Sequence, residues 1–393
     1  MAFVLSSQNV FDYLIEQGLC TSEDKAEGKI EKKAAKNFNL LLTLPNSRKL
    51  LVKQEPRNRD GTTEGEFLRE WRIQEFIQKF PEISHMRLFI SEAIHFNRED
   101  SIIVFNYLDN YRDVMEFYFK ENIFPSEIAT SIGRNLANIH RLTIDRPDYE
   151  NFFAQNHGKL SYEEGSHLTK DLERIGPEIF GLLPADGLKF FALYQRYDSL
   201  GQAIAELGTS LNPCCLAHND LKLNNILLSN NWQQAESSEL LANNNMVRFI
   251  DWERCGWGDP ASDLGTLVGS YLHIWLTSLV TSKTMSIDES LRMATTPLEA
   301  VQPSLVALVN AYFTEFPEIL EKRPDFLQRV VQCSGWKLII VIQSTLQYQK
   351  SFGNTGICML QVAKSLLCRP QASISTIFGM EASELTSTSL SPV

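Results

Sequence analysis

The sequence predicts an α+β chain in two parts: a small β-rich part over residues 37–108 and a larger, mainly helical part over residues 109–370. Three observations predict it. Apolar runs of strand composition bracket one helical stretch between residues 37 and 108. Beyond about residue 110 apolar residues recur at helical spacing instead. A further pair of short apolar runs, ILL and VRFI, flanks an Asn/Ser-rich insert and reads as a hairpin within the second part.

In chain order, residues 1–36 read as a helical lead-in, with Thr21 and Asp24 spaced as a capping box after Gly18. NFNLLLTL, the turn PNSR and KLLVKQ then form a predicted hairpin with Lys53 on its second strand. After the polar loop EPRNRDGTTEGE, the stretch FLREWRIQEFIQKF places Phe67, Trp71, Gln74 and Ile77 at helical spacing and carries Glu70 and Glu75. MRLFISEAI and SIIVFNYL follow as two more predicted strands. In EIATSIGRNLANIHRLT, Ile128, Ile132, Leu136 and Ile139 share one helical face. Residues 145–210 carry no clear pattern, 262–368 are again helical, and the Ser/Thr-rich tail, 371–393, is expected to be disordered.

Composition excludes several function classes. The chain has 393 residues and 44% hydrophobic content, enough to fill such cores. Lys+Arg number 37 against Asp+Glu 48, a net charge of −11, which is no footprint for binding nucleic acid. Seven cysteines, at 20, 214, 215, 255, 333, 358 and 368, form no CxxC pair and no Cys/His ligand spacing, as expected of reduced structural thiols. The N-terminus lacks a positive n-region and cleavage site, and WKLIIVIQSTLQ falls short of the ~20 apolar residues that span a bilayer. A cytoplasmic protein without a membrane partner is expected.

The chemistry concentrates in residues 216–265: LAHNDLKLNNILL, the insert, then MVRFIDWERCGWGDPASDLG. The order is H-x-D-x-x-x-x-N, from His218 through Asp220 to Asn225, followed by Asp251. Phosphoryl transfer explains why these types occur together, because it is mainly positioning and charge neutralisation. Asp220 suits the carboxylate that receives the nucleophile's proton. Asp251 and the amide oxygen of Asn225 suit Mg²⁺, a hard cation held by few protein oxygens plus substrate phosphates. Lys53 would neutralise phosphates, with Glu70 to hold it and Glu66 as the fallback for that role.

HNDLKLNNIL with FIDWERCGWGDPASDLG resembles the catalytic and metal-binding segments of the aminoglycoside phosphotransferase and choline kinase superfamily, a branch of the protein-kinase-like fold. IGRNLANIHRL resembles that family's LAxLH helix, and LLVKQ with FLREW its lysine strand and glutamate helix; the likeness spans about residues 37–265. The resemblance implies a two-lobed kinase-like fold and transfer of the ATP γ-phosphate to an alcohol group. It makes Asp220 the catalytic base, Asn225 and Asp251 the Mg²⁺ ligands, Lys53 a phosphate contact paired with Glu70, and Asn106, Tyr107 and Leu108 the adenine hinge.

Two features depart from the pattern. KIEKKAAKNFNL stands where a glycine-rich phosphate loop is expected. Lys222, two residues after the catalytic aspartate, is more typical of protein kinases, where it contacts the transferred phosphate. A small-molecule acceptor is the expectation, since GDPASDLG is the small-molecule-kinase pattern. A peptide Ser/Thr acceptor and a non-catalytic nucleotide-binding regulator are the alternatives. His218 and His140 are expected to be structural, Asp259–Pro260 an N-cap with proline at the first helical position, and Asp263 a brace for the catalytic loop.

Overall fold

The computed structural model describes residues 3–33, 36–154, 185–196, 198–233, 246–282 and 284–387. The fold is α+β, in two compact units. One comprises Met1–Arg112 with Leu227–Cys255, and the other Asp113–Ile226 with Gly256–Val393.

The first unit is built on an antiparallel five-stranded sheet of β1 (Lys29–Lys33), β2 (Phe38–Thr43), β3 (Lys49–Gln54), β4 (Ala93–Asn97) and β5 (Ile102–Asn106), in the order β1-β2-β3-β5-β4. The two-residue period of β3 decides what each face does. Leu50 and Val52 join Leu40, Leu42, Ile102 and Val104 on one face, where Leu5, Val10, Phe11 and Leu14 from the N-terminal segment cover them. Leu51 and Lys53 project to the other face, where Leu51 packs with Ile103, Phe105 and Phe67, the last from helix Glu66–Lys79. Residues 3–20 thus form the back of the sheet, and the capping box of Thr21 and Asp24 is present on helix Ser22–Glu27.

Helix Glu66–Lys79 begins at Gly65, whose φ of 72° suits glycine. Its orphan amides are met by a remote side chain: Glu55, buried at the end of β3, accepts from the N–H of Glu66 (3.0 Å) and of Phe67 (3.4 Å).

A second sheet, in the order β6-β8-β9, consists of β6 (Tyr111–Asp113), β8 (Ile226–Ser229) and β9 (Val247–Phe249). The two runs expected to form a hairpin are β8 and β9, which are neighbours, but from Leu227 onward they belong to the first unit and not, as expected, to the larger helical part. The Phe249 N–H donates to the Phe89 carbonyl (2.6 Å) and its carbonyl accepts from Ser91 N–H (3.1 Å), fixing β9 within the first unit.

In the second unit the face of Ile128, Ile132, Leu136 and Ile139 on helix Ser126–Thr143 is buried, packing against helix Leu298–Glu315. Four such side chains contribute roughly 6–12 kcal/mol of burial as an upper bound. Helix Pro260–Thr277 packs on helix Phe326–Gln349, and β7 (Cys215–Ala217) pairs antiparallel with β10 (Gly256–Gly258).

Three expectations are corrected. The helical lead-in ends in β1, a charged edge strand at Lys29–Lys33 that pairs with β2. MRLFISEAI is not one strand: Pro81–Leu88 is a 3-10 helix, and β4 starts at Ala93. Much of the tail is ordered, as helices Pro370–Phe378 and Ala382–Ser387, because Ile374, Ile377, Phe378 and Leu385 are buried. Residues 155–184 of the unpatterned stretch, 234–245 of the polar insert and 388–393 of the tail lie outside the described residues. No described helix is long and apolar enough to cross a membrane.

Candidate active site

The first unit gathers three of the sequence-predicted residues from three separate segments. Lys53 reaches from β3, and its Nζ lies 3.8 Å from Glu70 Oε2 on helix Glu66–Lys79 and 3.5 Å from Asp251 Oδ1 just beyond β9. The ammonium also sits 5.0 Å from the centroid of Phe105 and 5.9 Å from that of Phe67, so it is held between carboxylates over an aromatic floor. Burial pulls the Lys53 ammonium down, but Glu70, Asp251 and Glu253 outweigh it and the net direction is up, keeping it protonated. Asp251 has a φ of 66°, a left-handed backbone costly for a side-chain-bearing residue and one that aspartate tolerates better than most.

Glu70 is pushed up to about 7 by burial, against the pull of Lys53 and with help from the Asp251 charge. The directions for Lys53 and Glu70 favour opposite protonation states of one pair. The carboxylate excess resolves this: Glu70, Asp251 and Glu253 act on Lys53, so protonation of a carboxylate relieves repulsion while the lysine stays charged. Glu66 pairs with Lys36, on the turn after β1. Thus Glu66 is occupied by another lysine, and Glu70 is the residue beside Lys53.

Glu253 was not anticipated. It is 9% exposed and pushed up to about 7 by burial and by Asp251, and its backbone carbonyl accepts from Arg69 Nε (2.7 Å). The signal available was the second acid of IDWE, two residues after Asp251. A surplus of carboxylate beside one buried ammonium is a donor chemistry that suits a hard divalent cation.

At the segment expected to form the hinge, the Asn106 N–H donates to Glu92 O (3.3 Å) and the Tyr107 N–H to Lys49 O (2.9 Å). The Asn106 side-chain amide donates to Glu92 Oε2 (2.9 Å). The backbone amides of Asn106 and Tyr107 are thus engaged locally. Leu108 follows, and its carbonyl accepts from Tyr111 N–H (3.3 Å).

The second unit holds Asp220, Lys222 and Asn225 on the loop after β7. Buried Leu221 and Leu223 anchor the loop between its polar residues. Asn225 Nδ2 donates to the Asp220 carbonyl (2.9 Å), which assigns its Oδ1 the role of acceptor or ligand. Lys222 Nζ donates to Asp220 Oδ2 (2.8 Å). Burial raises the Asp220 carboxyl, but the charges of Lys222 and Lys337 prevail and hold it below its ordinary value.

Asp263, buried on helix Pro260–Thr277, braces this loop. Its Oδ2 accepts from the His218 N–H (2.7 Å) and its Oδ1 from the Asn219 N–H (2.8 Å), fixing Asn219 at a φ of 63°. His140 is a packed structural histidine, bonded to Tyr312 Oη (2.8 Å) and Asp263 Oδ2 (3.3 Å). Asp259 caps its helix through the Ala261 N–H (2.9 Å) and also holds Asn212 N–H and Arg323. At Gly258 a Cβ would lie 2.7 Å from Ala217 Cβ and 2.8 Å from Asn219 Oδ1, so the glycine preceding Asp259 is required by that approach.

The class of protein that such residues suggest is met by comparison with known families. Residues 118–282, which include Asp220, Lys222, Asn225 and Asp251, match the phosphotransferase enzyme family, the family that the sequence resembles. No curated protein matches the chain. Among solved structures, it is similar to the aminoglycoside phosphotransferase APH(2'')-Ib with ADP bound, at 16% identity over 95% of this chain and 99% of that chain, TM-score 0.44. Choline kinase LicA from Streptococcus pneumoniae gives 14% over 92% and 98%, TM-score 0.43. Macrolide 2'-phosphotransferase MphH from Brachybacterium faecium gives 13% over 92% and 99%, TM-score 0.45.

Proposed function

We propose that this chain is an ATP-dependent phosphotransferase that moves the γ-phosphate to a hydroxyl of a small molecule. The observation that carries the reading is the buried Lys53 ammonium, 3.8 Å from Glu70 and 3.5 Å from Asp251. An amine taken out of water and kept charged by acids from two other segments is an arrangement that fits polyphosphate neutralisation better than core packing. The match of residues 118–282 to a phosphotransferase family supports the same reading.

In this reading Lys53 binds the phosphates and Glu70 orients it. Leu108 supplies the backbone donor to adenine, with Asn106 and Tyr107 shaping the segment. Asp251 and the amide oxygen of Asn225 are the residues that would hold Mg²⁺, which would supply neutralisation of the phosphate charge. Asp220 accepts the hydrogen bond of the attacking hydroxyl and receives its proton. A carboxylate held ionised is a weak base, which suits a loose transition state in which proton transfer comes late. Lys222 keeps Asp220 ionised and lies near the transferred group.

The test compares wild type with Asp220→Asn for Mg²⁺-dependent ADP formation with amino alcohols, sugars and peptides as acceptors. A fall of about 10²–10⁴-fold in kcat with ATP binding retained is expected. Equal absence of turnover in both proteins despite ATP binding would instead support a nucleotide-binding regulator. Transfer only to protein would support a peptide kinase.

A further inference from the structure

The second unit contains a cavity of about 490 Å³, within the size range of small-molecule sites. None of Asp220, Lys222 and Asn225 lines it, so it is separate from the catalytic loop. Leu272 and Leu276 of helix Pro260–Thr277, Leu366 of helix Asn354–Cys368 and Ile377 of helix Pro370–Phe378 give it branched aliphatic walls. A concave wall of this kind gains from an apolar body that displaces water, and it has little to offer the hydroxyls of a sugar or a nucleotide.

The polar lining divides into donors already used and donors still free. Ser365 Oγ donates to Gln361 O (3.2 Å) and Ser373 Oγ to Arg369 O (2.9 Å), so both hydroxyl protons are spent on the helices that carry them. Burial pushes the Cys358 thiol up, so it lines the cavity as a neutral group. Arg369 is different. It lies exposed between helix Asn354–Cys368 and helix Pro370–Phe378, and its guanidinium has no hydrogen bond or ion pair with any described residue. Among the described residues that line the cavity it is the one charged group, and no carboxylate faces it there. Helix Pro370–Phe378 starts directly after it without a side-chain cap, so the positive end of that helix adds to the same field.

We propose that this cavity binds a monocarboxylate with an aliphatic body, such as a medium-chain fatty acid, with the chain against the leucine wall and the carboxylate on Arg369. The guanidinium offers a planar pair of donors that matches a carboxylate, and its charge disfavours an aliphatic cation. A neutral chain fills the same walls but leaves the guanidinium without a partner. The proposal does not depend on the phosphotransferase reading, because no residue assigned to the transfer takes part in the site.

The experiment measures calorimetric binding of decanoate, decanol and decyltrimethylammonium to the full chain, each below its micelle concentration. Alkylation of Cys358 by iodoacetamide, read by mass spectrometry, reports on the cavity itself. Decanoate is expected to bind with or without ATP, to slow alkylation of Cys358, and to bind at least about 10-fold more tightly than decanol, while the cation does not bind. Arg369→Gln, a change at an exposed position that leaves the fold intact, removes that preference without weakening decanol, and Arg369→Lys restores part of it. Ala372→Trp fills the cavity from helix Pro370–Phe378 and abolishes binding of both. Absence of decanoate binding, equal affinity for decanol, an unchanged affinity in Arg369→Gln or Ala372→Trp, or Cys358 alkylated as fast in the saturated protein overturns the proposal. Displacement of decanoate by ATP overturns it by placing the probe in a nucleotide site. A dimer in sedimentation that Ala372→Trp abolishes makes a second copy of the chain the occupant, which also overturns it.

Discussion

Replacing Asp263 by alanine removes the acceptor for two consecutive backbone amides. The His218 N–H is buried and 2.7 Å from Oδ2, and the Asn219 N–H is partly buried and 2.8 Å from Oδ1. Asp263 is itself 1% exposed, so water has no direct route to replace it. An amide left unsatisfied costs about 1–3 kcal/mol, and the second, less buried one costs less, giving about 2–5 kcal/mol in all. In a unit of about 250 residues each kcal/mol lowers Tm by about 2 °C, so the expected fall is about 4–10 °C. Asp263→Asn keeps the volume and one acceptor oxygen but turns an NH2 toward the other amide, and should lose about 1–2 kcal/mol less. The two variants are compared with wild type by calorimetry and by acceptor-dependent ADP formation. The loop with Asp220 loses its brace in both, so kcat should fall at least about 10-fold while the KM for ATP changes little. A Tm within 2 °C of wild type (about 1 kcal/mol) in Asp263→Ala, with kcat unchanged, would refute the bracing argument.

Three further outcomes follow from other parts of the molecule. Because burial and Asp251, working against Lys53, raise Glu70 from 4.5 to about 7, the folded protein binds a proton that the unfolded chain releases over that interval. Stability should therefore rise as pH falls from 7 to 4.5, and Glu70→Gln should flatten that rise by on the order of 2 kcal/mol in urea titrations; an identical slope in the variant would contradict the placement of Glu70. Gly258→Ala should displace Asn219 and lower kcat well before it unfolds the protein, whereas kinetics indistinguishable from wild type would mean that the 2.7 Å approach to Ala217 is easily relaxed. Truncation after residue 369 removes buried Ile374, Ile377 and Phe378 and should cost several kcal/mol, seen as loss of soluble protein or a lowered Tm; a fully stable truncated chain would show those helices to be dispensable.

How much of this was legible beforehand differs by residue. Lys53 could be found because alternation assigns it to one face of β3, and because the motif of residues 218–251 calls for a distant lysine; alternation alone puts Lys49 on the same face. The shared loop of Asp220 and Asn225 was legible from their spacing because it is local, whereas Asp251 lies beyond β9 and its place depends on how that strand is docked. β1 was hidden by its own function as an edge: KIEKK is mostly exposed, and charge on an edge strand discourages pairing with other chains while erasing the apolar signal that marks a strand. MRLFI was misread because a short apolar run has the same composition in a 3-10 turn as in a strand. In the tail, serine content masked Ile374, Ile377 and Phe378 at i, i+3 and i+4, the spacing of a buried helical face.

The residues that escaped sequence reading are those whose meaning depends on contacts between distant segments. Lys53 and Asp251 are 198 positions apart, and they meet because the chain leaves the first unit after Arg112 and returns to it at Leu227. That return, secured by the bonds of Phe249 to Phe89 and Ser91, brings Glu253 in as well. The second acid of IDWE is the one local mark of this residue and does not fix its role, because a glutamate two positions beyond an aspartate is solvated unless the strand before it is docked. A motif can therefore point to groups that come from short segments, while the place of a residue such as Glu253 is set by the docking of distant segments, which the motif does not encode.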